Sequence, residues 1–449
     1  MKISLITIVK GVAWTAGTFG LSQLLRIVSS IILTRLLAPE LFGIMVIIYA
    51  LQSGMELLSD LGFGQNLIIN KNADNPEFYN TVWSLRLVRG FLLLTCCIAA
   101  ALPLAHLYHA PILAWILPVV GVYFVLGGLG SLSAAFLQRR LQIAKLNIFQ
   151  FIIEAITTVS QIIFAYFSRT VWALVFGGLI SAAASTIGSY LVVPGLRHKF
   201  YISKEFTRQI FSFGKWLFIS STIFFFSYSF DNLYFGKAVP LELLGVYGIA
   251  RNIADAVSSL VGRMSSIVIF PFIATHSELP RADLRDQLKS IRAKFLLLAA
   301  FGFSALVVIA DLLIRILYDR RYQDAGWMLS VMLIGRWFSM MCYVNEAALL
   351  GFSKPLYSAY SNGLKFVLLL IGLPLAFIKY GIVGAIIFVV VSEIFRYVPF
   401  LIGQSRERFS FIVQDLVMTL FMFGLVGLWE WLRSALGLGT SFGNLLIFG

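Results

Sequence analysis

Charge is what this chain has least of. Only 12% of its 449 residues are Asp, Glu, Lys or Arg, against about 25% in a soluble domain. Cysteine is nearly missing as well. Cys96, Cys97 and Cys342 all fall inside apolar runs, and an odd number of thiols there excludes a disulfide framework. The four histidines, His106, His109, His198 and His276, lack metal-ligand spacing. No glycine-rich loop ends in Lys-Ser or Lys-Thr, which excludes ATP hydrolysis by a phosphate loop. The longest polar connections, 195–212 and 276–294, leave no room for a soluble catalytic domain. Short alternating segments, the mark of a membrane β-barrel, are absent too.

What remains is apolar: 59% of the residues are hydrophobic. Runs of about 20 such residues recur along the whole length, as in a polytopic helical membrane protein. We place spans at 12–34, 41–63, 82–104, 111–136, 147–167, 171–193, 213–236, 244–272, 295–317, 326–350, 357–378, 382–402 and 412–432. The first is too long for a signal-peptide core, so it is expected to be retained. The last residues, SFGNLLIFG, are too few to cross a bilayer, leaving open whether a fourteenth span is missing.

The net charge of +14 does not mark a nucleic-acid binder. With the N-terminus in the cytoplasm, alternate connections hold nineteen Lys and Arg on one side and seven on the other. That bias fixes the orientation and accounts for most of the charge as a face toward anionic headgroups.

The chain also repeats itself at an offset of 202 residues. Trp14 matches Trp216, Arg35 matches Lys237, Glu40 matches Glu242 and Gly43 matches Gly245. Spans one to six and seven to twelve therefore read as two six-helix lobes in parallel repeat. The expected divisions are an N-terminal lobe at 1–195, a basic cytoplasmic connection at 196–212, a C-terminal lobe at 213–403, and an extra helix with its tail at 404–449.

Ionisable groups lie well inside several spans, at a cost of about 2.5–3.5 kcal/mol each at mid-membrane. Such groups usually face a bundle interior or a watery path. Thr15, Thr18, Ser22, Arg26 and Ser29 form a stripe on the first helix. Ser220, Ser227 and Asp231 do so on the seventh, and Asn252, Asp255, Ser259, Arg263 and Ser266 on the eighth, with Arg251 alongside. The second carries Gln52, Glu56 and Asp60. The fifth shows Asn147, Gln150, Glu154, Thr157 and Gln161, and the eleventh Ser358, Asn362 and Lys365. Arg251 and Asp255 are spaced to pair along one helix, and Glu56 and Asp60 lie level with Arg86 and Arg89. Arg26, Arg263 and Lys365 have no obvious partner on their own helices. For Ser and Thr, helix packing explains the pattern as readily as ligand contact. Gly127, Gly128 and Gly130 read as sites of close packing or bending.

The opening KGVAWTAGTFGLSQLLRIVSSIILTRLLAPELFGIMVII, the later LSDLGFGQNLI, and YDRRYQDAGWML at Tyr318–Leu329 resemble the bacterial oligosaccharide and polysaccharide flippases. These belong to the multidrug/oligosaccharidyl-lipid/polysaccharide exporter superfamily. The resemblance implies an all-α protein with two six-helix lobes around a central cavity lined by helices one, two, seven and eight. It implies an undecaprenyl-diphosphate-linked oligosaccharide as cargo, turned to the periplasmic leaflet of the inner membrane for O-antigen, capsule or exopolysaccharide synthesis. It implies no cofactor and no enzymatic step, with membrane lipid, a coupling H+ or Na+, and polymerase and chain-length components as partners. Arg26, Arg251, Arg263 and Lys365 become the cavity cations expected to meet diphosphate; Asp60, Glu154, Asp231 and Asp255 become the acids expected to couple an ion. Two rivals remain: a multidrug exporter of the same superfamily, binding organic cations through those acids, and a membrane polymerase or ligase.

Overall fold

The computed structural model describes residues 5–275 and 280–441, without the side chains of 5–16 and of ten residues between 261 and 275. Thr15 and Ser266 lie outside the described side chains, and His276 and most of the SFGNLLIFG tail lie outside the described residues. Among the described residues the fold is all helical. In chain order the helices are α1 (Leu5–Leu36), α2 (Pro39–Leu57), α3 (Phe63–Ile69), α4 (Pro76–Leu107), α5 (Leu113–Leu129), α6 (Ser133–Arg139) and α7 (Ile143–Phe167). There follow α8 (Trp172–Val192), α9 (Lys204–Ala238), α10 (Leu241–Thr275), α11 (Arg281–Leu317), α12 (Ala325–Gly351), α13 (Leu356–Arg406) and α14 (Ile412–Ala435).

Local chemistry sets the ends of these helices. Pro39 occupies the first turn of α2 beside Glu40, where its missing N–H costs nothing and the acid meets the positive helix end. Asn75 caps α4 by accepting from Glu77 N, and Ser203 caps α9 by accepting from Phe206 N. Polar caps such as these carry α4 and α9 well beyond the apolar runs that predict them.

Among the described residues, ten helices are long and apolar enough to cross a membrane. The thirteen expected spans map onto the helices with four differences. The span drawn at 41–63 is too long, because α2 stops at Leu57 and Gly62 turns the chain at φ +72° before α3. The span at 111–136 is broken: α5 and α6 meet at a 50° bend. The spans at 357–378 and 382–402 both lie in α13, which breaks at Tyr380 and Gly381, the glycine at φ +61°. α10 carries Arg251, Asp255 and Arg263 and is not among the ten.

The described residues fall into two compact units, one within Met1–Phe225 and Phe235–Gly245, the other within Phe226–Tyr234 and Val246–Gly449. In the first, α4 and α5 lie backbone to backbone. A Cβ on Gly90 would come within 2.6 Å of Phe124 O, and one on Gly128 within 2.9 Å of Arg86 O. Gly127 is open, and Gly130 ends α5. A core of Phe63, Leu67, Phe78, Val82, Phe136, Phe206 and Ile210 closes the end that holds α3 and α6. α2 and α10 cross at their first turns. There a Cβ on Gly43 would meet Leu241 O at 2.0 Å, and one on Gly245 would meet Pro39 O at 2.0 Å. In the second unit α12 is the central helix, 83% buried over its apolar window; Trp327 and Trp337 are among its fully buried side chains.

Candidate functional site

In the first unit, Arg26 of α1 pairs through Nε with Glu154 of α7. Sequence position left Arg26 without a partner on its own helix, and the fold supplies one in Glu154. The Arg26 side chain stays 58% exposed and Glu154 22% exposed, so the guanidinium keeps free donors on its open side. Thr18 and Ser29 of the same stripe are buried. Along α7, Thr157 donates to Ile153 O at 2.8 Å and lies 2.5 Å from Ser181 of α8, while Gln161 donates to Leu174 O at 3.4 Å. That face stitches α7 to its neighbour and offers Glu154 to α1.

A cavity of about 690 Å³ also opens within this unit. Glu56 and Asp60 line it from the end of α2, and Arg86 and Arg89 from α4. Asp60 accepts from Gly62 N at 3.0 Å. Arg86 donates to Gly127 O at 2.9 Å; Arg89 donates to Ser59 Oγ at 2.8 Å and to Glu56 O at 2.6 Å. Beside it, in the connection before α9, His198 stacks on Trp83 at 5.6 Å. Its Nε2 accepts from Leu132 N at 3.3 Å and lies 3.0 Å from Ser131 Oγ, which places the ring proton on Nδ1. Burial, with the nearby Arg86 charge, pushes His198 down to about 4, so the ring is neutral at physiological pH.

The second unit holds a chain of charges. Arg251 of α10 pairs with Asp231 of α9, which also accepts from Tyr247 Oη at 2.5 Å. Arg251 Nε lies 3.5 Å from Asp255, the pair expected along one helix. Asp255 in turn accepts from Tyr228 Oη at 2.7 Å and from Arg336 of α12 at 2.5 Å. Arg336 reaches Glu393 at 3.6 Å, and Glu393 accepts from Lys365 at 2.5 Å and Arg396 at 3.2 Å. Arg251 and Lys365 are buried, each side chain 6% exposed. Arg263 stands two turns beyond Asp255 on α10, half-buried.

A second buried cluster fastens α14. Arg292 of α11 pairs with Asp415 and donates to Asn345 Oδ1 at 3.0 Å and Gln414 Oε1 at 2.9 Å. Asn345 also accepts from Gln404 at 2.7 Å, and Tyr397 Oη donates to Asp415. The sequence reading omitted Arg336, Glu393, Arg396, Arg292 and Asp415 from the candidate site. Their signal was the one used for Arg26: an ionisable residue within or beside an apolar run.

Exposure separates the charges by what they can do. Guanidinium groups bind phosphate through paired N–H donors. Those of Arg251 and Arg336 are buried against carboxylates, whereas that of Arg26 stays exposed beside its one.

Residues 32–326 match the family model described as "Polysaccharide biosynthesis protein". The chain is 24% identical over 270 residues to the succinoglycan biosynthesis transport protein ExoT of Rhizobium meliloti, covering 59% of this chain and 53% of that protein. It is 20% identical to the lipopolysaccharide biosynthesis protein WzxC of Escherichia coli (64% and 57% covered). It is 23% identical to a putative O-antigen transporter of Shigella flexneri (85% and 94% covered). The aligned part thus spans little more than half of the first two relatives. Among solved structures, the lipid II flippase MurJ in an inward closed conformation is similar in fold, with a TM-score of 0.76 and 13% identity over 93% of this chain and 92% of that one. An inward-facing multidrug resistance transporter of the MATE family gives 0.68 and 14%, over 86% and 94%.

Proposed function

Because the chain belongs to the polysaccharide biosynthesis protein family, we propose that it carries lipid-linked oligosaccharide across the cytoplasmic membrane by alternating access. The cargo in this reading is a repeat unit on undecaprenyl diphosphate, delivered to the outer leaflet for assembly into a surface polysaccharide. The observation that carries the reading is the family match over residues 32–326. The named transporters among the relatives and the membrane-length helices with charges inside them point the same way.

A polar headgroup cannot cross hydrocarbon unless fixed polar groups replace its water. In this reading Arg26, exposed on its open side, makes the first contact with the diphosphate. An incoming diphosphate competes with Glu154 for the guanidinium, and the displaced carboxylate is then open to a proton or a sodium ion. Cargo and coupling ion thereby meet at one pair of side chains. Arg251, Arg263 and Lys365 are further cargo residues, and Asp60, Asp231 and Asp255 further coupling residues, in the same proposal.

The test is the lipid content of a deletion strain. Loss of the gene is expected to leave lipid-linked repeat units in the inner leaflet, and the wild-type chain to clear them. Arg26→Ala, confirmed as inserted and folded, is expected to cut clearance at least tenfold, with partial rescue by Arg26→Lys. Normal clearance by Arg26→Ala overturns the assignment of Arg26. Absence of accumulated lipid in the deletion strain, with altered drug susceptibility instead, overturns the cargo.

A further inference from the structure

The cavity in the first unit contains four charged groups that make no ion-pair contact with one another, although Arg89 stands near Glu56 and Asp60, Arg86 near Asp60, and Glu56 shares a hydrogen bond with Tyr123. Arg86, Arg89, Glu56 and Asp60 all line it, yet no N···O distance of 4.0 Å or less joins either arginine to either acid. Elsewhere in the chain the buried cations touch a carboxylate: Arg251, Arg292, Arg336, Lys365 and Arg396 all do. Arg86 and Arg89 are anchored instead by neutral oxygens, those of Gly127, Ser59 and the Glu56 main chain. Arg89 also sits 6.0 Å from the centre of the Phe63 ring. Each guanidinium carries five N–H donors, so each retains several after these bonds.

Charges left apart in a partly buried cavity call for a ligand that brings both signs. A simple anion would meet two carboxylates along with the arginines; a simple cation would meet the reverse. The lining is balanced, two against two. The volume, about 690 Å³, lies in the range of about 300–1,000 Å³ used for small-molecule sites. Gln150 and Ser185 add neutral hydrogen-bonding groups to the same walls.

We propose that this cavity binds a zwitterionic amine–phosphate group, Arg86 and Arg89 taking the phosphate and Glu56 and Asp60 the primary ammonium. The shared chemistry is that of phosphoethanolamine, as the headgroup of a membrane lipid or as the free molecule. The phosphate takes paired N–H donors, and the ammonium supplies three donors to acceptor-only carboxylates. A trimethylated amine has no N–H to give, and a glycerol headgroup has no positive charge. The site therefore discriminates by ammonium as well as by phosphate, and it does not depend on the chain being a flippase.

The test titrates the purified full-length protein in detergent micelles with short-chain phosphatidylethanolamine, phosphatidylcholine and phosphatidylglycerol, and separately with soluble phosphoethanolamine, read by native mass spectrometry. The ethanolamine lipid is expected to bind at least tenfold tighter than the other two. Soluble phosphoethanolamine that competes with it shows that the headgroup suffices; binding of the lipid without such competition assigns the site to membrane lipid. The Glu56→Gln, Asp60→Asn double variant is expected to reverse the order, so that phosphatidylglycerol binds best, a gain that misfolding does not produce. Arg86→Gln with Arg89→Gln is expected to abolish binding of all three. Equal affinity for the three lipids in the wild type, or an order unchanged by the carboxylate variants, overturns the proposal.

Discussion

Glu393 answers to three cations at once. Lys365 and Arg396 approach it within 3.2 Å, and Arg336 follows at 3.6 Å. The carboxylate side chain is 3% exposed, so water cannot replace it. Breaking a buried pair by removing one partner costs about 3–5 kcal/mol. Glu393→Gln keeps the shape and removes the charge. It is expected to lower stability by about that amount, seen as a clear fall in the melting temperature of the detergent-solubilised protein; an unchanged melt refutes the account. His198 carries a different prediction. Its pKa falls from the ordinary 6.5 to about 4 in the fold, so between those values the unfolded chain holds the proton and the folded chain does not. Its contribution is complete above pH 6.5 and is lost as pH falls toward 4. Comparing wild type with His198→Phe, which keeps an aromatic face on Trp83 but cannot titrate, the stability difference is expected to shift in favour of the variant over that interval. Parallel curves would contradict the neutral, packed ring.

The helices show which part of the pattern was legible. Gly43 and Gly245 appear in the sequence as a matched pair, 202 residues apart, with no reason attached. The fold supplies the reason, since each leaves room for the carbonyl at the start of the other's helix. Those carbonyls, on Pro39 and Leu241, are themselves 202 residues apart. Adding one methyl at either place forces two backbones apart, and overpacking of this kind costs about 1–3 kcal/mol. Gly43→Ala and Gly245→Ala are each expected to show it by thermal melting. Because the two sites touch, the double variant is expected to fall short of or exceed their sum. Gly427→Ala, with nothing within 4 Å of the added carbon, is the control expected to melt as wild type. Apolar runs revealed where helices lie because hydrocarbon demands them. They did not reveal the bend between α5 and α6, the break at Gly381 or the early end of α2, since an apolar run is blind to backbone direction.

For the molecule as a whole, the distribution of Lys and Arg yields an orientation that can be measured. In a chain freed of Cys96, Cys97 and Cys342, a cysteine at exposed Arg169 is expected to react with a membrane-impermeant maleimide in spheroplasts. One at exposed Lys71 is expected to react only after lysis; the opposite result inverts the topology. At this scale the candidate site was half legible. Individual residues such as Arg26, Glu154, Arg251, Asp231 and Lys365 stood out because a charge in an apolar run is expensive. Their partners did not, because pairing across helices depends on rotation and depth, which spacing along one helix leaves undetermined. Arg26 thus seemed alone until α7 brought Glu154 to it.

The burial of α12 has a mechanical result. Arg336 joins one polar assembly and Asn345 the other, nine positions further along, or about 13.5 Å at 1.5 Å per residue. A slip of α12 by a single turn would unfasten both together, stranding charges in hydrocarbon at two depths. The helix acts as a keel pinned at two points, which ties the helices around it into one stiff piece.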